Sequence, residues 1–164
     1  MSTFVKICGI TSIDTAFRAV DAGADALGFV FADSARRLTA DEAVRITAEV
    51  PVHVEKVAVF LAPSTAEIEE ILSVFQADTV QADAASIADF HLTATIPVIR
   101  DAESRVPQGV ERVLFEGLRS GTGELSNWDG AARLSRSHRL ILAGGLNAGN
   151  VANAMKVVKP YGVD

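Results

Sequence analysis

The run Phe4–Ile10, FVKICGI, places a lysine and the chain's one cysteine two residues apart in an otherwise apolar stretch. Alternate residues of a strand share a face, so Lys6 and Cys8 point one way and Val5 and Ile7 the other. A thiol acts as a base or nucleophile through its thiolate, and a nearby cation favours that form. The pair offers a base with a cation beneath it. It equally fits a small core cysteine above a lysine that pairs with an interior carboxylate. Residue types alone support both readings.

Other reactive groups fall at the ends of apolar runs. Glu116 closes one such run and Arg100 another, Gln81 and Asp83 share a face of a third, and Asp164 ends the last. The loop ADSARR carries Ser34, Arg36 and Arg37. Carboxyl, thiol and guanidinium groups together suit proton transfer on an anionic substrate. Two glycine-rich stretches follow later runs: SGTGELSNW (Ser120–Trp128), with Gly121 and Gly123, and AGGLNAGNV (Ala143–Val151), with Gly144, Gly145 and Asn147. Neither is a P-loop, since no Gly-Lys-Ser/Thr follows. Both would let backbone amides approach an anion. His53, His91 and His138 lie away from the run ends, and no metal-ligand spacing joins them to the acids.

The elements that position these groups alternate in type. Strand candidates are Val5–Ile10, Ala26–Phe31, Glu55–Leu61, Thr79–Gln81, Ile96–Arg100, Arg112–Glu116, Leu140–Ala143 and Tyr161–Asp164. Between them run amphipathic stretches with helix-start signals: Thr11 with Asp14, Thr39 with Glu42 and Ser64 with Glu67, each read as a capping box. Ile13, Phe17 and Val20 fall on one helical face, as do Ile68, Ile71 and Leu72, and Gly23 stops the first helix. Strand–helix alternation implies a parallel sheet of βαβ units. Eight strands point to a (β/α)8 TIM barrel, residues 1–164 forming a single domain, rather than to a flavodoxin-like sheet of about five strands. In such barrels the active site lies at the C-terminal strand ends, and phosphate sites use the loops after strands seven and eight. Asp101–Glu111 is short for a helix and contains the turn-like VPQG. Barrels of this type usually exceed about 200 residues, so a C-terminal tail beyond Asp164 is expected.

Composition narrows the function classes. A net charge of −6 without a basic cluster argues against nucleic acid as a partner. One cysteine excludes an internal disulfide and fits a reducing cytoplasm. No signal peptide and no membrane-length apolar run are present.

With these motifs in place, the chain resembles phosphoribosylanthranilate isomerases, barrel enzymes of tryptophan biosynthesis. The resemblance rests on VKICGIT, DAGADALGFVF, Ser34-Ala35-Arg36, DTVQ, GTG…NW, AGGLNAGNV and VVKPYGVD in colinear order. It implies an Amadori rearrangement of an aminoaldose phosphate to an aminoketose phosphate, with no metal or organic cofactor, by a monomer or homodimer. It assigns Cys8 as general base, Glu116 as general acid and Arg36 as the holder of the anthranilate moiety. Gly144, Gly145 and Asn147 match part of the phosphate region, and Gln81 and Asp164 match pocket-lining positions. Two places depart from the family pattern: Glu116 stands where it has aspartate, and Ala82-Asp83-Ala84 where His-Gly is common. The Ser-Ser-Gly run expected after Asp164 is absent from the sequence. Two other functions compete: a related histidine-pathway sugar-phosphate isomerase, which would use aspartates at the first and sixth strand ends, and a barrel that binds phosphate ligands without catalysis.

Overall fold

The computed structural model describes residues 3–91, 93–100, 104–118 and 123–164. The strands are β1 (Phe4–Cys8), β2 (Ala26–Val30), β3 (Glu55–Val59), β4 (Thr79–Asp83), β5 (Ala94–Ile99), β6 (Arg112–Phe115), β7 (Arg139–Leu142) and β8 (Gly162–Val163). The helices are α1 (Ile13–Asp21), α2 (Ala40–Thr47), α3 (Thr65–Val74), α4 (Trp128–Leu134) and α5 (Val151–Val158). The strand order is β1 through β8 in sequence, that of a closed barrel, and the described pairings β1–β2, β2–β3, β3–β4, β5–β6, β6–β7 and β7–β8 are parallel. The predicted (β/α)8 barrel is the fold. The chain divides into two compact units, residues 5–95 and residues 1–4 with 96–164.

In the first unit the strands are sorted by alternation. Leu27 and Phe29 of β2, Ala58 of β3, and Val80 and Ala82 of β4 pack with Ala16, Ala43, Ile46, Ile68 and Phe75 in the helix-side core. Phe75 meets the rings of Phe29 and Phe31 at 5.4 and 5.7 Å. The intervening residues therefore face the other way: Lys6 and Cys8, Ala26 and Gly28, Glu55 and Val57, Thr79 and Gln81. Registers put Lys6, Ala26 and Glu55 at one level and Cys8, Gly28, Val57 and Thr79 at the next.

Aspartates hold that register at the N-terminal strand ends. Asp25, just before β2, donates its N–H to Val5 O and accepts the Val5 N–H on its carboxylate, both at 2.8 Å. Asp78, just before β4, repeats the arrangement on Lys56 at 2.9 and 2.8 Å. A slip of one residue would break both bonds and turn each inward side chain outward.

Helix starts largely follow the sequence signals. Thr39 with Glu42 and Ser64 with Glu67 form complete capping boxes. Hydrogen bonds from the backbone and hydroxyl of Thr39 and of Ser64 hold the Glu42 and Glu67 carboxyls below the ordinary carboxylate range. The first helix differs: its N-cap is Ser12, which accepts from Thr15 N, and not Thr11. Asp14 instead pairs with Arg18 at 2.8 Å. The buried side of α1 is Ala16 and Ala19, with Phe17 and Val20 half-buried and Ile13 51% exposed. Small alanines let this helix lie close to the sheet, so the bulkier residues flank the contact. Gly23 follows α1 at φ 90, and Ala24 N–H closes back on Ala19 O at 3.0 Å.

In the second unit Ile96, Val98, Leu114, Ile141 and Ala143 form a core with Phe4 and Tyr161 against it. The Phe4 and Tyr161 rings stack at 5.5 Å. Arg112 lies over Phe4 at 5.3 Å and Arg139 over Tyr161 at 4.1 Å, while Arg139 also pairs with Glu111. This stack closes the N-terminal strand ends of the unit. The stretch between β5 and β6 carries no helix among its described residues, as its length and VPQG predict. Among its described residues the β4–β5 connection is likewise built of turns, which its sequence did not signal.

Candidate active site at the strand ends

In the first unit, Cys8 is the last residue of β1 and half-buried. Arg36, in the loop after β2, sends its guanidinium back to the Cys8 carbonyl at 3.0 Å, and its N–H bonds Ser34 Oγ at 3.0 Å. The guanidinium lies across Gly9, where an added Cβ would stand 2.3 Å from Arg36 Nη1. Gly9 also has φ 82, so both space and backbone require glycine there. Gln81 is buried, and its Oε1 has no hydrogen-bond partner. Asp83 ends β4 half-buried, anchored by its N–H to Leu61 O at 2.9 Å.

In the second unit, Glu116 directly follows β6 and Arg100 directly follows β5. Arg100 Nη1 donates to Glu116 Oε1 at 2.6 Å and to Gly117 O at 3.3 Å. Asp164 follows β8, its N–H on Leu142 O at 2.9 Å. Gly144 and Gly145 have φ 88 and 66. A Cβ on Gly145 would meet Gly123 O at 2.7 Å and Leu125 N at 2.9 Å. The glycine pair thus admits the loop after β6 against the loop after β7, a packing role that the sequence reading gave only to anion approach. Asn147 wires the second loop: its Oδ1 accepts Gly149 N–H, and its own N–H bonds Asn150 Oδ1, both at 2.8 Å. Gly123 is exposed at φ 74. Gly121 lies outside the described residues.

Sequence reasoning missed Ser126. It is buried beside Gly144, and its Oγ has no hydrogen-bond partner. In ELSNW it reads as one more helix-start residue, yet the cap of α4 is Asn127, which accepts from Gly130 N at 3.1 Å. Only its burial marks it. Among the described residues no group of three or more His, Cys, Asp or Glu is placed to hold a metal, and no helix is long and apolar enough to cross a membrane.

In each unit the reactive side chains, the Arg100–Glu116 pair among them, sit at the C-terminal strand ends, while the aspartate clamps of the first unit and the Arg139–Glu111 pair of the second occupy the N-terminal ends. That division is the one found in (β/α)8-barrel enzymes. The model of the N-(5′-phosphoribosyl)anthranilate isomerase family matches residues 5–164. An N-(5′-phosphoribosyl)anthranilate isomerase of Streptococcus gordonii is 38% identical over 167 residues, covering 99% of this chain and 86% of the relative. The crystal structure of the phosphoribosyl anthranilate isomerase from Thermus thermophilus superposes with a TM-score of 0.86 at 28% identity, over 99% of this chain and 86% of that one. A second solved isomerase matches with a TM-score of 0.78 at 30% identity, over 99% and 86% of the two chains. It was determined in complex with reduced 1-(o-carboxyphenylamino)-1-deoxyribulose 5-phosphate. The chain belongs to the N-(5′-phosphoribosyl)anthranilate isomerase family.

Proposed function

We propose that this chain isomerises N-(5′-phosphoribosyl)anthranilate to 1-(o-carboxyphenylamino)-1-deoxyribulose 5-phosphate, a step of tryptophan biosynthesis, with Cys8 as general base and Glu116 as general acid. The observation that carries the reading is the family match along residues 5–164. The roles of the two residues follow from chemistry. The Glu116 carboxylic acid protonates the furanose ring oxygen, and the C1–O bond opens to a Schiff base between C1 and the anthranilate nitrogen. That cation acidifies the C2 proton, which the Cys8 thiolate removes. The resulting enol then tautomerises to the ketone. Proton transfer at both ends suffices, so no redox cofactor or metal enters the scheme.

Arg36 binds the anthranilate carboxylate, and Gln81, Asp83 and Asp164 line the pocket. Gly121, Gly123, Gly144, Gly145 and Asn147 belong to the loops that receive the phosphate, and Ser126 adds a buried hydroxyl beside them. The partner is a small phosphorylated molecule, not nucleic acid. Residues 1–164 work as one barrel domain, in the cytoplasm, as a monomer or homodimer.

The test is loss of substrate fluorescence on mixing with the chain, repeated with Cys8→Ala and Glu116→Gln. Turnover in the parent chain, cut by about 100-fold or more by either change, supports the reading. Full activity in Cys8→Ala removes the base assignment. Turnover of the histidine-pathway aldose instead would assign a different substrate. Binding of the reduced product analogue without any turnover would mark a non-catalytic barrel.

A further inference from the structure

We infer that Lys6 is a positioning residue for the Cys8 sulfur: its enclosed ammonium holds the thiol in the thiolate form. The inference rests on the assignment of Cys8 as the base and extends it to the group that makes a thiol competent for that role.

Lys6 is fully buried, with no exposed surface at all. An ammonium is taken out of water at considerable cost, so a fully buried lysine calls for compensating charge or a function. Lys6 shares its face of β1 with Cys8, one inward position lower. Gly28 of β2 stands beside both: a Cβ built there would lie 3.0 Å from Cys8 Sγ and 3.2 Å from Lys6 Nζ. Sulfur and ammonium are therefore at most about 6.2 Å apart, the sum of those two distances. Any residue larger than glycine at position 28 would press on both groups.

The charges around the sulfur divide by level. At the height of Cys8 the registered residues are Gly28, Val57 and Thr79, none of them acidic or basic. Glu55 is one level lower, beside the Lys6 level, and accepts a hydrogen bond from Thr79 Oγ1. Above, Arg36 sets a second cation on the Cys8 carbonyl at 3.0 Å. The neighbouring strand β2 contains no titratable residue. Asp83 is the acid at the C-terminal end of β4. Glu55 shares the register level of Lys6 through Ala26, so the acid on this side of the barrel sits in the lower layer and not at the height of the sulfur. The ammonium also stands within reach of the sulfur above it, at a separation where a unit charge inside a protein shifts a pKa by about one unit or more.

Cys8 is the only cysteine in the chain, so its titration can be read without background. The rate of alkylation by iodoacetamide, followed by intact mass between pH 5.5 and 10, gives its midpoint. The parent chain is expected to show a midpoint below the free-thiol value of about 8.5. Lys6→Met and Lys6→Gln should raise it by about one unit, a tenfold loss of thiolate at neutral pH, while Lys6→Arg keeps it low. A parent midpoint at or above the free-thiol value overturns the inference whether or not the variants fold. So does a folded Lys6→Met chain, checked by circular dichroism, with an unchanged midpoint. Alkylation reads the thiol and not turnover. An isomerase that stays active in Cys8→Ala would thus remove the base assignment while leaving the Lys6–Cys8 coupling measured.

Discussion

Arg100 Nη1 lies 2.6 Å from Glu116 Oε1, with the two side chains 20% and 14% exposed. The same nitrogen also reaches Gly117 O. One guanidinium therefore fixes both the carboxyl group and the backbone just beyond it. Glutamate is one methylene longer than the aspartate of the family pattern, and a longer side chain needs more restraint to hold a catalytic geometry. Arg100→Met should lower kcat about 10- to 100-fold with a smaller change in KM, because a misplacement of about 1 Å costs on the order of 100-fold. Arg100→Lys should recover part of the loss. Steady-state kinetics on the three chains checks this, and an equal rise in KM without loss of kcat would contradict it.

Glu116→Gln keeps the shape of the side chain and removes the transferable proton. Turnover should fall by about 10²- to 10⁴-fold, the usual contribution of a positioned general acid. Binding of the reduced product analogue, measured by calorimetry, should stay near the parent value.

Gly9 and Arg36 should behave as one unit. Arg36→Met removes the guanidinium, and Gly9→Ala drives a methyl group into the place the guanidinium occupies, 2.3 Å from Nη1. Each change is expected to raise KM at least tenfold, as loss of a charged hydrogen bond of about 1.5–3 kcal/mol implies. The double variant should be scarcely worse than either single one, since neighbours that share a role are non-additive. Multiplying effects would show that Gly9 acts independently of Arg36.

The two capping boxes give stability a defined acid limb. Glu42 and Glu67 titrate below the ordinary carboxylate range in the folded chain because Thr39 and Ser64 donate to their charged forms. The unfolded chain therefore binds protons first as pH falls. The contribution is complete above about pH 5 and disappears as pH drops through the lowered folded values. Urea midpoints measured between about pH 6 and pH 3 should fall less steeply for the Glu42→Gln/Glu67→Gln chain than for the parent. Parallel curves would contradict this.

Ser126 buries a hydroxyl with no partner. An unsatisfied buried hydroxyl costs about 1–3 kcal/mol, so Ser126→Ala should raise the unfolding free energy by about 1 kcal/mol in urea titrations. If the hydroxyl also serves the phosphate, the same change will raise KM. A loss of stability would refute the buried-orphan description.

The legible part of this chain was whatever repeats locally. Alternation in FVKICGI placed Lys6 and Cys8 on one face, and Thr39–Glu42 and Ser64–Glu67 announced their helices correctly. Family motifs carried the assignment of Cys8, Arg36 and the glycine loops. What stayed hidden depends on distant packing. Nothing in TSIDTAF distinguishes Ser12 from Thr11 as the cap, because the choice turns on where the chain leaves β1. Gly28 lies in an ordinary apolar run, and its place beside both sulfur and ammonium follows only from the β1–β2 register. The Arg100–Glu116 contact joins residues that are separated by sixteen positions. Ser126 looked like one more polar residue before a helix.

The paired aspartate clamps, Asp25 on Val5 and Asp78 on Lys56, sit at the opposite strand ends from Cys8 and Gln81. They fasten the β1–β2 and β3–β4 pairs by their inlets, so the stagger of those pairs owes little to the loops at their outlets. Those outlets are accordingly free to be lengthened, shortened or rewritten without unthreading the scaffold. New specificity could be grafted onto this chain there, while a change at either aspartate would be felt along the full length of its strand pair.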